Sequence, residues 1–187
     1  MPVTPEALAA NPDVVEALGV CNFEVAVGPE EAAWFVVDGI PAVRQIGEDG
    51  AGGIIALLPP TQRVLYVTSE GQAGIIAADL EAFIQLIVAY PYWEDLLSYS
   101  GNGQLDEMRR AAAAMEVTLD DADEIDEARE ALREMFSLAE PDDPIDALHQ
   151  AVSGSDVVVR PPDGEPFTTL FGNFTIDNNP FLRDAVD

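Results

Sequence analysis

The stretch from Gly47 to Trp93 limits what this chain can fold into. It opens with Gly47-Glu48-Asp49-Gly50-Ala51-Gly52-Gly53, runs through the apolar Ile54 to Leu58, and breaks at Pro59-Pro60. A β-prone run from Arg63 to Thr68 follows, then Ser69-Glu70-Gly71-Gln72, a further apolar run from Ala73 to Ala78, and Asp79. Apolar runs of this length bounded by Gly and Pro read as buried strands, and from Leu80 the spacing becomes helical. Ser69 to Gln72 suits a tight turn with Gly71 taking the positive φ, so the runs on either side are expected to pair as an antiparallel hairpin. Leu80, Phe83, Ile84 and Ile87, widened by Leu86 and Val88, give a helix one apolar arc with which to lie on a sheet face. Pro91 ends that helix, and Tyr92-Trp93 opens a shorter one toward Tyr99.

The flanks fit an α+β chain. Thr4-Pro5 and Asn11-Pro12 each read as an N-cap followed by proline at the first helical position, which predicts helices over about Pro5 to Ala10 and Pro12 to Leu18. Phe23 to Val27 is a weak strand, broken by Gly28-Pro29-Glu30. Trp34 to Val37 is β-prone, and Asp38-Gly39 carries a hairpin signal that leads into Ala42 to Ile46. Beyond Ser100-Gly101-Asn102-Gly103, Leu105, Met108, Ala112, Met115 and Leu119 form a narrow helical seam. Asp121 with Glu124 has capping-box spacing for a second helix burying Ile125, Ala128, Leu132, Met135 and Phe136. These two helices read as an antiparallel pair. Pro141 to Pro144 opens a third helix carrying Ile145, Leu148 and Val152. Val157 to Arg160 and Phe167 to Phe171 flank a hairpin signal at Pro161-Pro162-Asp163-Gly164. The tail from Asn173 reads as irregular. No internal repeat or low-complexity linker divides the chain, so residues 1–187 are expected to form one domain.

The charge balance narrows the function classes. The chain has 35 Asp and Glu against 8 basic residues, all of them Arg, for a formal charge of -27. Such a surface repels nucleic-acid phosphates and anionic lipid and attracts basic proteins at long range. It fits a basic partner and adaptation to a salty cytoplasm equally. A hydrophobic content of 48% is enough for a real core. Cys21 stands alone, which excludes an internal disulfide framework and a Cys-rich zinc site. The N-terminus has no basic region followed by an apolar core, and no apolar run spans a bilayer, so the expected location is the cytoplasm.

No motif carries chemistry. A phosphate-binding P-loop needs a lysine, and the chain has none. The glycines from Gly47 to Gly53 precede a strand, where a dinucleotide fingerprint precedes a helix. Asp121 to Asp126 begins like a calcium loop, but Ile125 sits where an oxygen ligand belongs and Asp126 where the turn glycine belongs, so it reads as a solvated helix start. His149 lies on the arc of Ile145 and Val152 and reads as structural. It is the only histidine with which Cys21 could form a nucleophilic dyad, and no local motif supports that pairing. The expected catalytic residues, metal ligands and cofactors are therefore none.

A resemblance adds what chemistry does not. Ile46 to Gly53, then Val64-Leu65-Tyr66-Val67, then Ser69 to Ala77, then Asp79-Leu80-Glu81-Ala82-Phe83 together resemble the SUKH superfamily. The likeness covers about Ile46 to Val88 and consists of turn and packing residues. It implies an α+β fold with a mixed or antiparallel sheet flanked by helices. The SUKH-like core would span about residues 20–99, with a helical pair and hairpin added over about 100–187. It also implies a non-enzymatic role, since many bacterial members are immunity proteins that neutralise a toxin, often a nuclease, and others are regulatory or scaffolding proteins. Because turns at sheet ends and helix starts are accessible, Glu48, Asp49, Glu70, Gln72 and Tyr92 are the expected partner-binding residues.

Overall fold

The three apolar runs around Gly71 become neighbouring antiparallel strands in the computed structural model, which describes residues 1–26, 34–119 and 122–186. The main sheet contains Glu24–Val25 (β1), Arg44–Glu48 (β3), Ile54–Leu58 (β4), Arg63–Val67 (β5) and Ala73–Ala77 (β6). Its order is β1-β3-β4-β5-β6, and every pair is antiparallel. A separate ribbon pairs Val36–Val37 (β2) with Val159–Arg160 (β7). The expected hairpin around Gly71 forms, with Val67 opposite Ala73 and Gly71 at φ 86°.

The strands read as continuous apolar runs because both sheet faces are covered. Ile55, Leu57, Val64, Tyr66 and Ile76 face the helices. Leu58, Leu65, Val67 and Ile75 face the opposite way, onto Phe35 and the ribbon residues Val37 and Val159. That second layer corrects one expectation. Asp38-Gly39 does not join β2 to β3 as a hairpin, because β3 is already bonded on its two edges by β1 and β4, and β2 buries Val37 on the sheet's far face instead.

Eight helices are present among the described residues: Pro5–Ala10 (α1), Pro12–Val20 (α2), Leu80–Ala89 (α3), Trp93–Ser98 (α4), Leu105–Thr118 (α5), Ala122–Phe136 (α6), Pro144–Ser153 (α7) and Pro180–Arg183 (α8). Thr4, Asn11, Asp79 and Asp143 each accept an amide hydrogen bond as N-caps, the role their side chains suit. Phe83, Ile84 and Ile87 of α3 are fully buried. Phe83 meets Phe23 and Trp93 edge-on, and Trp93 meets Tyr66 at 4.9 Å between ring centres. Each of these large side chains contributes about 1.5–3 kcal/mol of burial. The same apolar core takes in Leu8 of α1 and Leu182 of α8, so the helices after Gly101 share it with the strands.

Three further expectations change beyond Gly101. α5 and α6 do not form an isolated antiparallel pair: α6 packs chiefly on α2, while α5 packs on α4, α7 and α8. The buried face of α5 is Met108, Ala111, Ala112, Ala114 and Met115. The expected cap at Asp121 lies outside the described residues. The turn at Pro161–Gly164 closes, with Gly164 N–H donating to the Pro161 carbonyl, but only Phe167 N–H bonds back to Val159. The chain then runs beside the edge of β6, where Thr168 makes a parallel bridge to Gln72. The tail is also more regular than its sequence suggests. A 3-10 turn spans Ile176–Asn178, and Asn179 caps α8 with proline at its first position.

Candidate partner-binding site

Asp49 shapes the end of the sheet where the candidates gather. Its Oδ1 accepts hydrogen bonds from the amides of Ala51 and Gly53, both at 2.7 Å, which folds the β3–β4 turn around the side chain. The Tyr66 hydroxyl donates to Oδ2. Gly53 has to be glycine here, because a Cβ would collide with Asp49 Oδ2 and lie 2.8 Å from the Tyr66 ring. Burial, then the charge of Glu94, then the bond to Asp49 all raise the Tyr66 pKa, so its phenol stays a donor. With three donors satisfied and 3% exposure, Asp49 holds the turn together.

A cavity of about 230 Å³ opens beside this turn, lined among others by Asp49, Tyr66, Glu70, Gln72, Glu94 and Leu170. It brings together three of the five expected partner-binding residues, but they differ in availability. Glu70 is exposed at the β5–β6 turn. Gln72 is half-buried, and its Nε2 donates to the Thr169 carbonyl at 3.2 Å, fastening the C-terminal segment to the sheet. Glu48 is half-buried on β3, accepts from Gln45 Nε2 at 2.8 Å and does not line the cavity. Two expectations of accessibility are corrected. Asp49 is buried because its turn needs the carboxylate internally. Tyr92 is 9% exposed because its hydroxyl donates to Glu116, which closes α4 onto α5.

Glu94 is the residue the sequence did not disclose. Asn22, at φ 56°, donates to Glu94 Oε1 at 3.0 Å and accepts from Gly50 N–H at 3.4 Å, linking α4 to the Asp49 turn. Burial, and after it the charges of Asp49 and Asp95, push the Glu94 carboxyl up to about 8. A glutamate in the first turn of a helix normally ionises more easily. Burial, with Asp49 placed opposite, reverses that, and no local sequence signal marks it.

The arginines are used internally. Arg44, Arg63, Arg109, Arg110, Arg129, Arg160 and Arg183 each make an ion pair with a carboxylate of the same chain. Most of the acidic side chains have no such partner among the described residues, so the exterior is negative with little local compensation. The alternatives raised by the sequence find other roles. Cys21 is fully buried, and burial pushes its thiol up to about 11, far from a thiolate nucleophile at neutral pH. His149 is half-buried, with Nε2 2.9 Å from the Gly103 carbonyl and its ring against Phe171. Asp126 of the acidic run pairs with Arg129 at 3.2 Å, and the described residues contain no group of three or more His, Cys, Asp or Glu poised to hold a metal. No helix among them is long and apolar enough to cross a membrane. The chain matches no protein-family model, no curated protein and no solved structure, so the likeness to SUKH proteins rests on the turn and packing residues between Ile46 and Val88 alone.

Proposed function

We propose that this protein is a non-enzymatic binding module that presents a preformed acidic surface to a basic protein partner. The observation that carries this reading is the internal pairing of seven of the eight arginines, which leaves the remaining carboxylates to set the external field. A field of that sign speeds encounter with a basic partner and penalises acidic competitors. Within this reading, the favoured role is that of a cytoplasmic immunity protein that occludes a cognate toxin, with a basic nuclease the best-suited target. The rim of the sheet-end cavity, with Glu70 foremost, supplies the accessible charge. Scaffolding of peptides is the second reading, favoured by an apolar cleft of about 430 Å³ beside α3 and α7.

Co-expression tests the proposal. A basic protein encoded beside this gene should be toxic when expressed alone and harmless when expressed with this chain. The association rate of the purified pair should fall steeply as salt rises. A toxic neighbour that is not neutralised, or an association rate indifferent to salt, would refute the reading.

A further inference from the structure

A cavity of about 690 Å³ lies between α3, α6 and the segment Leu138–Pro144, away from the sheet-end site. Its walls collect donors that have no acceptor. Arg129 is 8% exposed, and although its terminal nitrogens bond to Ala89 O, Glu116 and Asp126, its Nε is enclosed without a partner. Arg133, one helical turn on along the same face of α6, is the single arginine with no ion pair among the described residues. Tyr90 also lines this space, and its hydroxyl makes no hydrogen bond among the described residues. In a chain of charge -27, unpaired donors converging on one cavity stand out against an exterior short of cations. Glu140 and Asp142, two carboxylates likewise without ion pairs among the described residues, also line the cavity.

A second space lies beside it: Gln85, Pro141 and Pro144 also line the apolar cleft of about 430 Å³, whose other walls include Leu86 and Leu148. Each space falls within the roughly 300–1,000 Å³ that ligand sites commonly span. We propose that this cavity binds a short peptide zwitterion: its carboxylate on Arg133 and the Tyr90 hydroxyl, its ammonium on Glu140 and Asp142, and an apolar side chain in the adjoining cleft. Recognition by charges of both signs discriminates against ligands carrying only one, because the unmatched wall is then left desolvated.

The test uses alanyl-leucyl-alanine, its N-acetyl form and its C-terminal amide, titrated into the intact protein and followed by amide chemical shifts. The free peptide should give saturable shifts at Tyr90, Arg133 and Leu148. Each blocked form should bind about tenfold more weakly, the loss expected for one charged hydrogen bond. Arg133→Gln, an exposed substitution that should leave the spectrum folded, should weaken the free peptide by a similar factor. Absence of saturable shifts at millimolar peptide would overturn the proposal. So would equal binding of all three peptides, or unchanged affinity in folded Arg133→Gln.

Discussion

Replacing Glu94 by Gln isolates the electrostatics of the sheet-end cavity. In the folded protein burial, followed by Asp49 and Asp95, carries this carboxyl from its ordinary 4.5 up to about 8, against a lowering contribution from Asn22. The groups facing it are Asp49 from the β3–β4 turn, Tyr66 from β5, Asp95 from its own helix and neutral Asn22 after α2. None of them is a cation. Between the two pKa values the folded state keeps a proton that the unfolded chain has released. Stability is therefore whole below about pH 4.5 and declines as pH rises through about 8. At about 1.4 kcal/mol per pH unit the ceiling is roughly 5 kcal/mol, and partial solvation reduces it to about 2 kcal/mol. Glu94→Gln cannot ionise, yet its amide oxygen can still accept from Asn22. Urea midpoints measured at steps from about pH 5 to about pH 9 should diverge, the wild type losing about 2 kcal/mol more than the variant. The general repulsion of the other carboxylates affects the two proteins alike and cancels in the difference. Parallel curves would refute the placement of Glu94 against Asp49.

Other perturbations test separate contacts. Gly53→Ala should cost about 2–3 kcal/mol in denaturant unfolding, because its methyl group meets Asp49 Oδ2 and the Tyr66 ring; full retention of stability would show that the turn is not closed around Asp49. Tyr92→Phe should lower the unfolding midpoint by an amount equivalent to about 1–2 kcal/mol, since Glu116 loses the buried hydroxyl donor. Arg129→Ala should destabilise by about 3 kcal/mol or more, and Arg129→Met by much less, because the methionine refills the volume while removing the buried charge. Equal losses in the two Arg129 variants would mean that packing contributes nothing there.

How far the sequence reached depended on the range of the interaction. Capping by Thr4, Asn11, Asp79 and Asp143 was legible because each cap bonds an amide two or three residues away. The hairpin at Gly71 was legible for the same reason, as was the apolar arc of α3. Asp49 and Tyr92 were misjudged as accessible because their partners, Tyr66 and Glu116, are 17 and 24 residues distant. No local pattern shows that a turn aspartate will be enclosed. The assignment of α6 to α2 instead of α5 escaped for a related reason: periodicity gives each helix an apolar face but does not say which other face meets it.

The sequence alone settled the strands at the centre of the chain, the long helix after Asp79, and a net charge that no arrangement of the backbone can alter. Tertiary structure alone decided that the β2–β7 ribbon covers the second sheet face, that Glu94 lies against Asp49, and that unpaired arginine and tyrosine donors meet at one cavity. The physical division is between free energies set by neighbours along the chain and those set by desolvation. Desolvation depends on which distant surfaces exclude water together, and that is fixed only when the elements pack.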